Sequence, residues 1–537
     1  MNSAFSLLTE GWIPCVRTNG RSEMLGLRDV LVEAHTIREI YCRSPLTIAA
    51  LHRLLLATTH RLFGPRDRNV WTALWIGGAG KWDSQKLDSY FDKWKPRFNL
   101  FDRDYPFYQR ARFSTDKEPE PRPLSQLALE LSSGNNMMLF DHHCDLVPES
   151  VMPSEAARRL VTTQSFTIGF GISHKLKRQT EHFRDGPCSR GALFLVQGDN
   201  LFQTLMLSMR CYPDPRSRLS DDPDRDRPVW EMDDPFEPKR NTPLGYLDYL
   251  TWQSLQIRLE QDDGGQVKAV YRIQGLGLDK DVVLDPLKSY RTDKKTGKPI
   301  VRGFDPERAL WRDSVALLEL TDTDGRATPE NLRLLADLVR ARTLNREQQF
   351  RYLAIGLATE EGQARNVLLW RLERMPLPLA YLHDPGIVEQ LRDVLNLAEK
   401  ANQQLEEARD WLVWLWLKPD KYERFDDWRK SNDYRKCKQD KGFVALQDRF
   451  PVSRRYWWRL ELPFAEVMIR LAKSDSSATQ ALLDWRDTLE QTARHALNET
   501  TDGIESSARA LRAVAKAEEQ LERGLGIALK VDWGGAA

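Results

Sequence analysis

The sequence predicts an α+β protein: a large, irregular mixed N-terminal domain over residues 1–380, then a C-terminal four-helix bundle over 381–537. Three observations carry this expectation. At 537 residues the chain is longer than a single hydrophobic core organises. Up to about residue 380, strand and helix patterns alternate irregularly with long polar loops. Beyond it, four successive stretches place apolar residues at helical spacing, with short late connections.

Phe5, Leu7 and Leu8 lead into Trp12-Ile13-Pro14 as a strand, and Asn19-Gly20 supplies a tight turn. From Pro45 to about Phe63 the pattern is helical. Pro45 suits a first turn, and Leu46, Ala49, Leu51, Leu54, Leu55 and Leu62 form a broad apolar face. A second helix falls near Ser84 to Lys95, followed by the irregular aromatic segment "RFNLFDRDYPFYQ". "PSEAARRLVTTQSF" is a helix opened by Pro153. "TIGFGISHKLKRQTEHFRDGPCSRG" reads as a glycine-broken basic loop carrying Lys175, Lys177, Arg178, Arg184 and Arg190. "ALFLVQGDNLFQTLMLSM" returns to strand and helix. The Pro/Asp/Arg-rich stretch from Tyr212 to Pro243 reads as a long surface loop with little to bury. "YLDYLTWQSLQIRLE" and "VKAVYRIQG" read as strands around a turn at Asp262 to Gly265. "SYRTDKKTGKPIVRGFDPERALWRD" reads as a polar loop entering a helix.

In the C-terminal part, Val388, Leu391, Leu395, Ala398, Leu405, Ala408, Leu412 and Leu415 mark one long helix, which Pro419 stops. A charged loop follows, "YERFDDWRKSNDYRKCKQDKG". Helical patterns resume at "SRRYWWRLELPFAEVMIRLAK", at Ala478–Leu497 and from Ile504 to about Leu525. Pro463 is expected to kink the second of the four, and Ile504, Ala508, Leu511, Ala515 and Leu521 mark a face of the last. Asp475 or Ser476 is placed to cap the third helix, and Thr501 or Asp502 the fourth.

Composition narrows the function classes. The formal net charge is +1, so any nucleic-acid contact must come from local basic clusters. The N-terminus lacks the basic and apolar regions of a signal peptide, and no run of 18 apolar residues occurs. Six scattered cysteines read as reduced thiols, so a cytoplasmic location is expected.

No phosphate-binding loop, HExxH, GxSxG or Cys-x-x-Cys motif is present. "GNNMMLFDHHCD" admits two readings. His142, His143, Cys144 and Asp145 suggest a metal-dependent nuclease or another enzyme, but adjacent histidines point to opposite sides of an extended chain. They also lack a distant ligand pair. Gly134, Asn135 and Asn136 instead suggest a bendable recognition loop. In "IGFGIS", Gly169 and Gly171 flank Phe170 and precede a basic run. Such a turn lets backbone approach a ligand, and it equally suits a solvated basic face.

The chain as a whole resembles the large subunit of the type I-E CRISPR Cascade complex, the CasA family. The resemblance rests on "LLTEGWIPC", "RFNLFDRDYPFYQ", "GNNMMLFDH", "AARRLVTTQSFTIGFG", "GYLDYLTWQSLQIRL" and "DPERALWRD", in that order, and on the terminal helices. It implies a non-catalytic protein without a cofactor. Such a protein recognises the protospacer-adjacent motif (PAM) of double-stranded target DNA from the minor groove and starts R-loop formation. The guide RNA reads the remaining sequence. The implied partners are duplex DNA, the guide RNA, other Cascade subunits including the small subunit and the one at the guide RNA's 5′ end, and a helicase–nuclease. No membrane partner is implied.

The resemblance also implies site residues. The recognition loop falls on Asn135 and Asn136, with Phe140 as its functional phenylalanine. The glycine loop falls on Gly169, Phe170, Gly171 and Ile172, where the family carries a further glycine in place of Ile172. The duplex-splitting wedge falls on Gln363 and Ala364, preceded by Gly362 where some relatives have asparagine. Lys175, Lys177 and Arg178 are candidate phosphate contacts, as are "YRTDKKTGK" and Arg429 to Lys441. The family's minor-groove lysine falls among Arg272, Gln274 and Lys280. Minor-groove reading distinguishes mainly A·T from G·C, which suits a tolerant motif.

Overall fold

The computed structural model describes residues 4–530 except 79, 114, 116–117, 132–148, 170, 177–178, 212–218, 221, 223, 280–282, 321–327, 360–366, 474–475 and 505–506. It is a mixed α+β structure that divides into two compact units. One comprises residues up to Leu310 with Leu320–Leu344 and Phe350–Met375; the other comprises Trp311–Glu319, Asn345–Gln349 and the chain from Pro376.

The first unit opens with the expected turn. Strands Ile13–Arg17 and Ser22–Leu25 pair antiparallel around Gly20, whose φ of +87° suits glycine, and Ile37–Ile40 joins the sheet. The helix Pro45–Phe63 runs through the core; nearly all its residues are buried, including His52, Arg53 and His60. It packs on the helix Pro153–Phe166. A second sheet has Gln349–Thr359 at its centre, between Ala192–Gln197 and Val367–Pro378.

Three local expectations are corrected. "YLDYL" is a short helix, Tyr246–Leu250, and only Leu255–Gln261 and Val267–Gln274 form the antiparallel hairpin. Asp226 caps that helix, accepting the N–H groups of Leu247 and Asp248. The stretch before it is not merely a surface loop. Val229, Trp230, Glu231 and Phe236 are buried, and Arg61 makes a bidentate ion pair with Glu231. The polar stretch after Ser289 contains a small hairpin, Tyr290–Thr292 with Pro299–Val301.

A buried ionic centre ties this unit together. Asp285 Oδ2 accepts from Arg53 at 3.2 Å and from the Tyr249 hydroxyl at 2.7 Å. Its Oδ1 accepts from the Leu287 N–H at 2.9 Å. Arg53 also donates to the Tyr249 carbonyl and lies over the Tyr249 ring.

His60 lies in the same interior, with Nε2 bonded to the Arg210 carbonyl at 3.1 Å. Burial, and then the Arg210 charge, push it down to about 3 from an ordinary 6.5. The neutral ring therefore contributes stability that is fully present above pH 6.5 and lost as pH falls toward 3. In that window wild-type unfolding free energy should fall by ~1.4 kcal/mol per pH unit more steeply than in His60→Gln. Urea denaturation at pH 7, 6 and 5 measures the difference in slope.

The second unit is built on four long helices: Pro385–Leu417, Val452–Leu471, Ser476–Thr501 and Ala508–Ala528. Asp384 caps the first, accepting the Gly386 N–H at 2.8 Å, with Pro385 in the first turn. All eight apolar positions expected to face inward on that helix are buried. The last helix differs from expectation. Ser507, not Thr501 or Asp502, caps it through the Ala510 N–H; Thr501 ends the preceding helix. Its buried face is Ala510, Ala513, Ala517, Leu521 and Gly524, whereas Leu511 is exposed. Small residues suit the face that packs along the first long helix, where Gly524 lies against the Gln404 side chain.

The charged loop after Pro419 folds into three short helices, Phe425–Arg429, Asn432–Cys437 and Lys441–Gln447. They supply Phe425, Trp428 and Phe443 to a core around Trp411 and Trp414. Trp311 and Arg312 also belong to this unit; Trp311 packs on Phe464 and Arg312 lies 3.6 Å from the Trp457 ring centroid. Trp485 is fully buried, touches Phe464 and donates to the Val394 carbonyl at 3.0 Å. Trp485→Ala should cost ~3–5 kcal/mol in urea denaturation followed by circular dichroism.

Candidate nucleic-acid interface

The stretch expected to be a basic loop is a β-hairpin. Strands Ile172–Leu176 and Gln179–His182 pair antiparallel, with an irregularity between Ile172 and His174. The turn that enters it carries two glycines for two different reasons. Gly169 lies against neighbouring backbone, and a Cβ there would be 2.7 Å from Arg184 Cα. Gly171 has open space around it but a φ of +80°, which strains any side-chain-bearing residue. Ile172 follows and is 57% exposed, a large apolar side chain presented to solvent.

The base of the hairpin is pinned. The Gly169 N–H donates to Asp185 Oδ1 at 2.8 Å, and Arg190 Nε donates to Asp185 Oδ2 at 3.0 Å. The Gly186 and Cys188 N–H groups donate back to the carbonyls of Thr167 and Ser165. On the hairpin, Glu181 accepts from Lys239 at 2.7 Å, and this ammonium holds its carboxyl below the ordinary range. His174, across from Glu181, is lowered chiefly by burial.

Two of the three positions among which the family's minor-groove lysine falls lie in the described residues. Gln274 is buried with both ends of its amide engaged. Arg272 lies over the Phe183 ring and donates to the Gln126 carbonyl; burial, with Arg122 nearby, lowers it to about 10. Lys280 lies outside the described residues, as do Asn135, Asn136, Phe140, His142, His143, Cys144, Asp145, Phe170, Lys177, Arg178, Gln363 and Ala364. Lys175 belongs to the first hairpin strand. The segment carrying Gln363 connects two neighbouring strands of the second sheet, Gln349–Thr359 and Val367–Pro378.

A model of the CRISPR-associated protein Cse1 family matches residues 6–496. The chain belongs to the Cse1 family. It is 30% identical over 530 residues to the CasA/Cse1 protein of Thermus thermophilus, covering 97% of each chain. The crystal structure of Thermus thermophilus CasA superposes with a TM-score of 0.76 at 28% identity, over 98% of this chain and 100% of that one. Cse1 from Acidimicrobium ferrooxidans has the same fold, with a TM-score of 0.80 at 23% identity over 98% and 99% of the two chains. So does a chain of a CRISPR RNA-guided surveillance complex, with a TM-score of 0.71 at 22% identity over 97% and 99%.

The other basic stretches of this Cse1-family member differ in character. In "YRTDKKTGK", Lys294 and Lys295 are exposed at a hairpin tip that turns through Gly297, φ +68°. In the 429–441 stretch, Arg429 pairs with Glu407 and Lys438 approaches Asp410 at 4.0 Å, which reduces the free charge. A cavity of about 490 Å³ lies between residues 104–112 and 229–236. Its Arg97 and Arg110 are neutralised by Asp233 and Asp234.

Among the described residues no group of three or more His, Cys, Asp and Glu side chains comes together as a metal site, and no helix is long and apolar enough to cross a membrane. All five described cysteines are free thiols.

Proposed function

We propose that this chain is the large, non-catalytic subunit of a type I-E Cascade complex, and that the Gly169–Ile172 turn reads the PAM of duplex DNA from the minor groove. The observation that carries the reading is the turn itself, in a member of the Cse1 family. It offers an open glycine and an exposed isoleucine at the clamped base of the hairpin. Backbone close approach is what a narrow groove admits, and a tolerant motif needs no more than its coarse pattern.

In this reading Phe140, Asn135 and Asn136 form the recognition loop, and Gln363 with Ala364 forms the wedge that opens the first base pairs. Unstacking costs a few kcal/mol per step. Phosphate contacts from Lys175, Lys177, Arg178 and the Lys294–Lys295 tip offset that cost. The assembled partners are the guide RNA with the remaining Cascade subunits, and a helicase–nuclease is recruited after R-loop formation. The protein works in the cytoplasm.

The test is target binding by the assembled guide-RNA complex, with duplexes carrying matched or altered PAMs. Phe140→Ala and Gly171→Val should each weaken binding to the matched duplex by roughly tenfold or more. Unchanged affinity and unchanged discrimination in both would refute the site.

A further inference from the structure

We infer that Asp185 and Gln274 are positioning residues that hold the Gly169–Ile172 turn in its duplex-reading conformation. The inference rests on the reading of that turn given above.

A two-stranded hairpin is marginal by itself, so its placement must come from contacts at its base. Two buried side chains supply them. Asp185 takes the Gly169 N–H on one oxygen and Arg190 on the other. Gln274 holds both flanks of the hairpin at once. Its backbone N–H donates to Ser173 Oγ at 2.6 Å, and its Oε1 accepts the Arg184 N–H at 2.6 Å. Its Nε2 donates to the Ser254 carbonyl at 3.1 Å.

The chain of bonds then closes on itself. Ser254 Oγ donates to the Gln164 carbonyl at 2.8 Å. Gln164 uses both ends of its amide on Leu255, accepting its N–H and donating to its carbonyl. Gln164 lies in the last turn of the helix that leads into Gly169. Helix end, turn, hairpin, Arg184, Gln274, Ser254 and Gln164 therefore form a ring of hydrogen bonds around the turn. Gln164, Ser254, Gln274 and Asp185 are all buried, so the loss of a partner would leave their own polar atoms poorly served by water. A ring of this kind fixes a backbone conformation that an exposed hairpin would otherwise sample among others.

Asp185→Asn and Gln274→Glu test it with little change of shape. Asparagine keeps one acceptor and loses the charge that Arg190 and the Gly169 N–H share. Glutamate keeps the acceptor for Arg184 but sets a carboxylate oxygen against the Ser254 carbonyl. Each variant is assembled into the guide-RNA complex. Affinity is measured for a matched duplex and for a target whose PAM-proximal pairs are already mismatched open. Thermal midpoint and assembly are recorded alongside, and Gln274→Met serves if Gln274→Glu fails to assemble. The expected result is a ~10- to 100-fold loss for the matched duplex, with the pre-opened target bound as before. A purely structural role would weaken both targets together, which overturns the inference. If Gly171→Val loses the matched duplex while neither clamp variant does, the clamp assignment alone is wrong. If Gly171→Val also binds normally, the reading of the turn fails and the inference with it.

Discussion

Asp285→Ala should destabilise the first unit by ~3–5 kcal/mol, the largest stability effect expected of any single substitution there. The carboxylate is buried with Arg53, and its removal leaves a guanidinium without its counter-charge in the interior. It also strands the Tyr249 hydroxyl and the Leu287 N–H. The pair's own attraction is not what the measurement reads; most of the loss is the cost of one unpaired buried charge. Asp285→Asn combined with Arg53→Met removes both charges, keeps an amide oxygen to accept the Leu287 N–H and turns the amide NH2 toward the Tyr249 hydroxyl, which accepts in place of donating. It should therefore be milder than Asp285→Ala. Urea denaturation of all three proteins decides this, and equal losses in the double variant would show that the ionic charge is irrelevant.

Gly169→Val should have the largest effect on target recognition. The new Cβ would lie 2.7–2.8 Å from Arg184 Cα, Arg184 C and Asp185 N, all of them backbone atoms. Backbone cannot swing away as a flexible side chain can, so the turn must move off Asp185 and the Gly169 N–H bond breaks. Overpacking of this kind costs ~1–3 kcal/mol locally. The expected outcome is at least a tenfold loss of matched-duplex affinity in the assembled complex, with PAM discrimination largely gone. Gly171→Ala should be milder, since the space there is open and only the left-handed backbone is strained. Equal effects at the two glycines would contradict the distinction drawn between close approach and backbone conformation.

The long amphipathic helices were legible because periodicity is a local property. Leu391, Ala398, Leu405 and Leu412 announce one face without reference to any partner, and all are buried. The Pro45 and Pro153 starts and the Asn19-Gly20 turn were legible for the same reason. In the last helix the expected face holds at Leu521 but not at Leu511, because alanines make up most of the first half of the buried face. Hydrophobic spacing favours Leu511, but closeness to the first long helix favours small residues. The strands Gln349–Thr359 and Val367–Pro378 carry little local signal: most of the first is buried without alternation, and the second is half-buried through its middle. The hairpin at Ile172 was hidden by its glycines and lysines, which resemble a loop until the two strands are seen to pair.

The candidate site divides along the same line. The glycines at 169 and 171 stand out in the chain, and the family likeness attaches them to a role. Asp185 carries no signal in its neighbourhood, and Gln274 is one of three positions that the family likeness leaves open. The glutamine amides join the clamp only when residues about 90 positions apart are brought within hydrogen-bond distance, as Arg184 and Gln274 are, and Asp185 does so only when the chain folds back to Gly169. By themselves, the residues in order determined the class of fold, the inward faces of most long helices and the family. Folding alone could choose which polar side chains are buried together, because that choice depends on long-range proximity and on the cost of leaving any one of them unpaired.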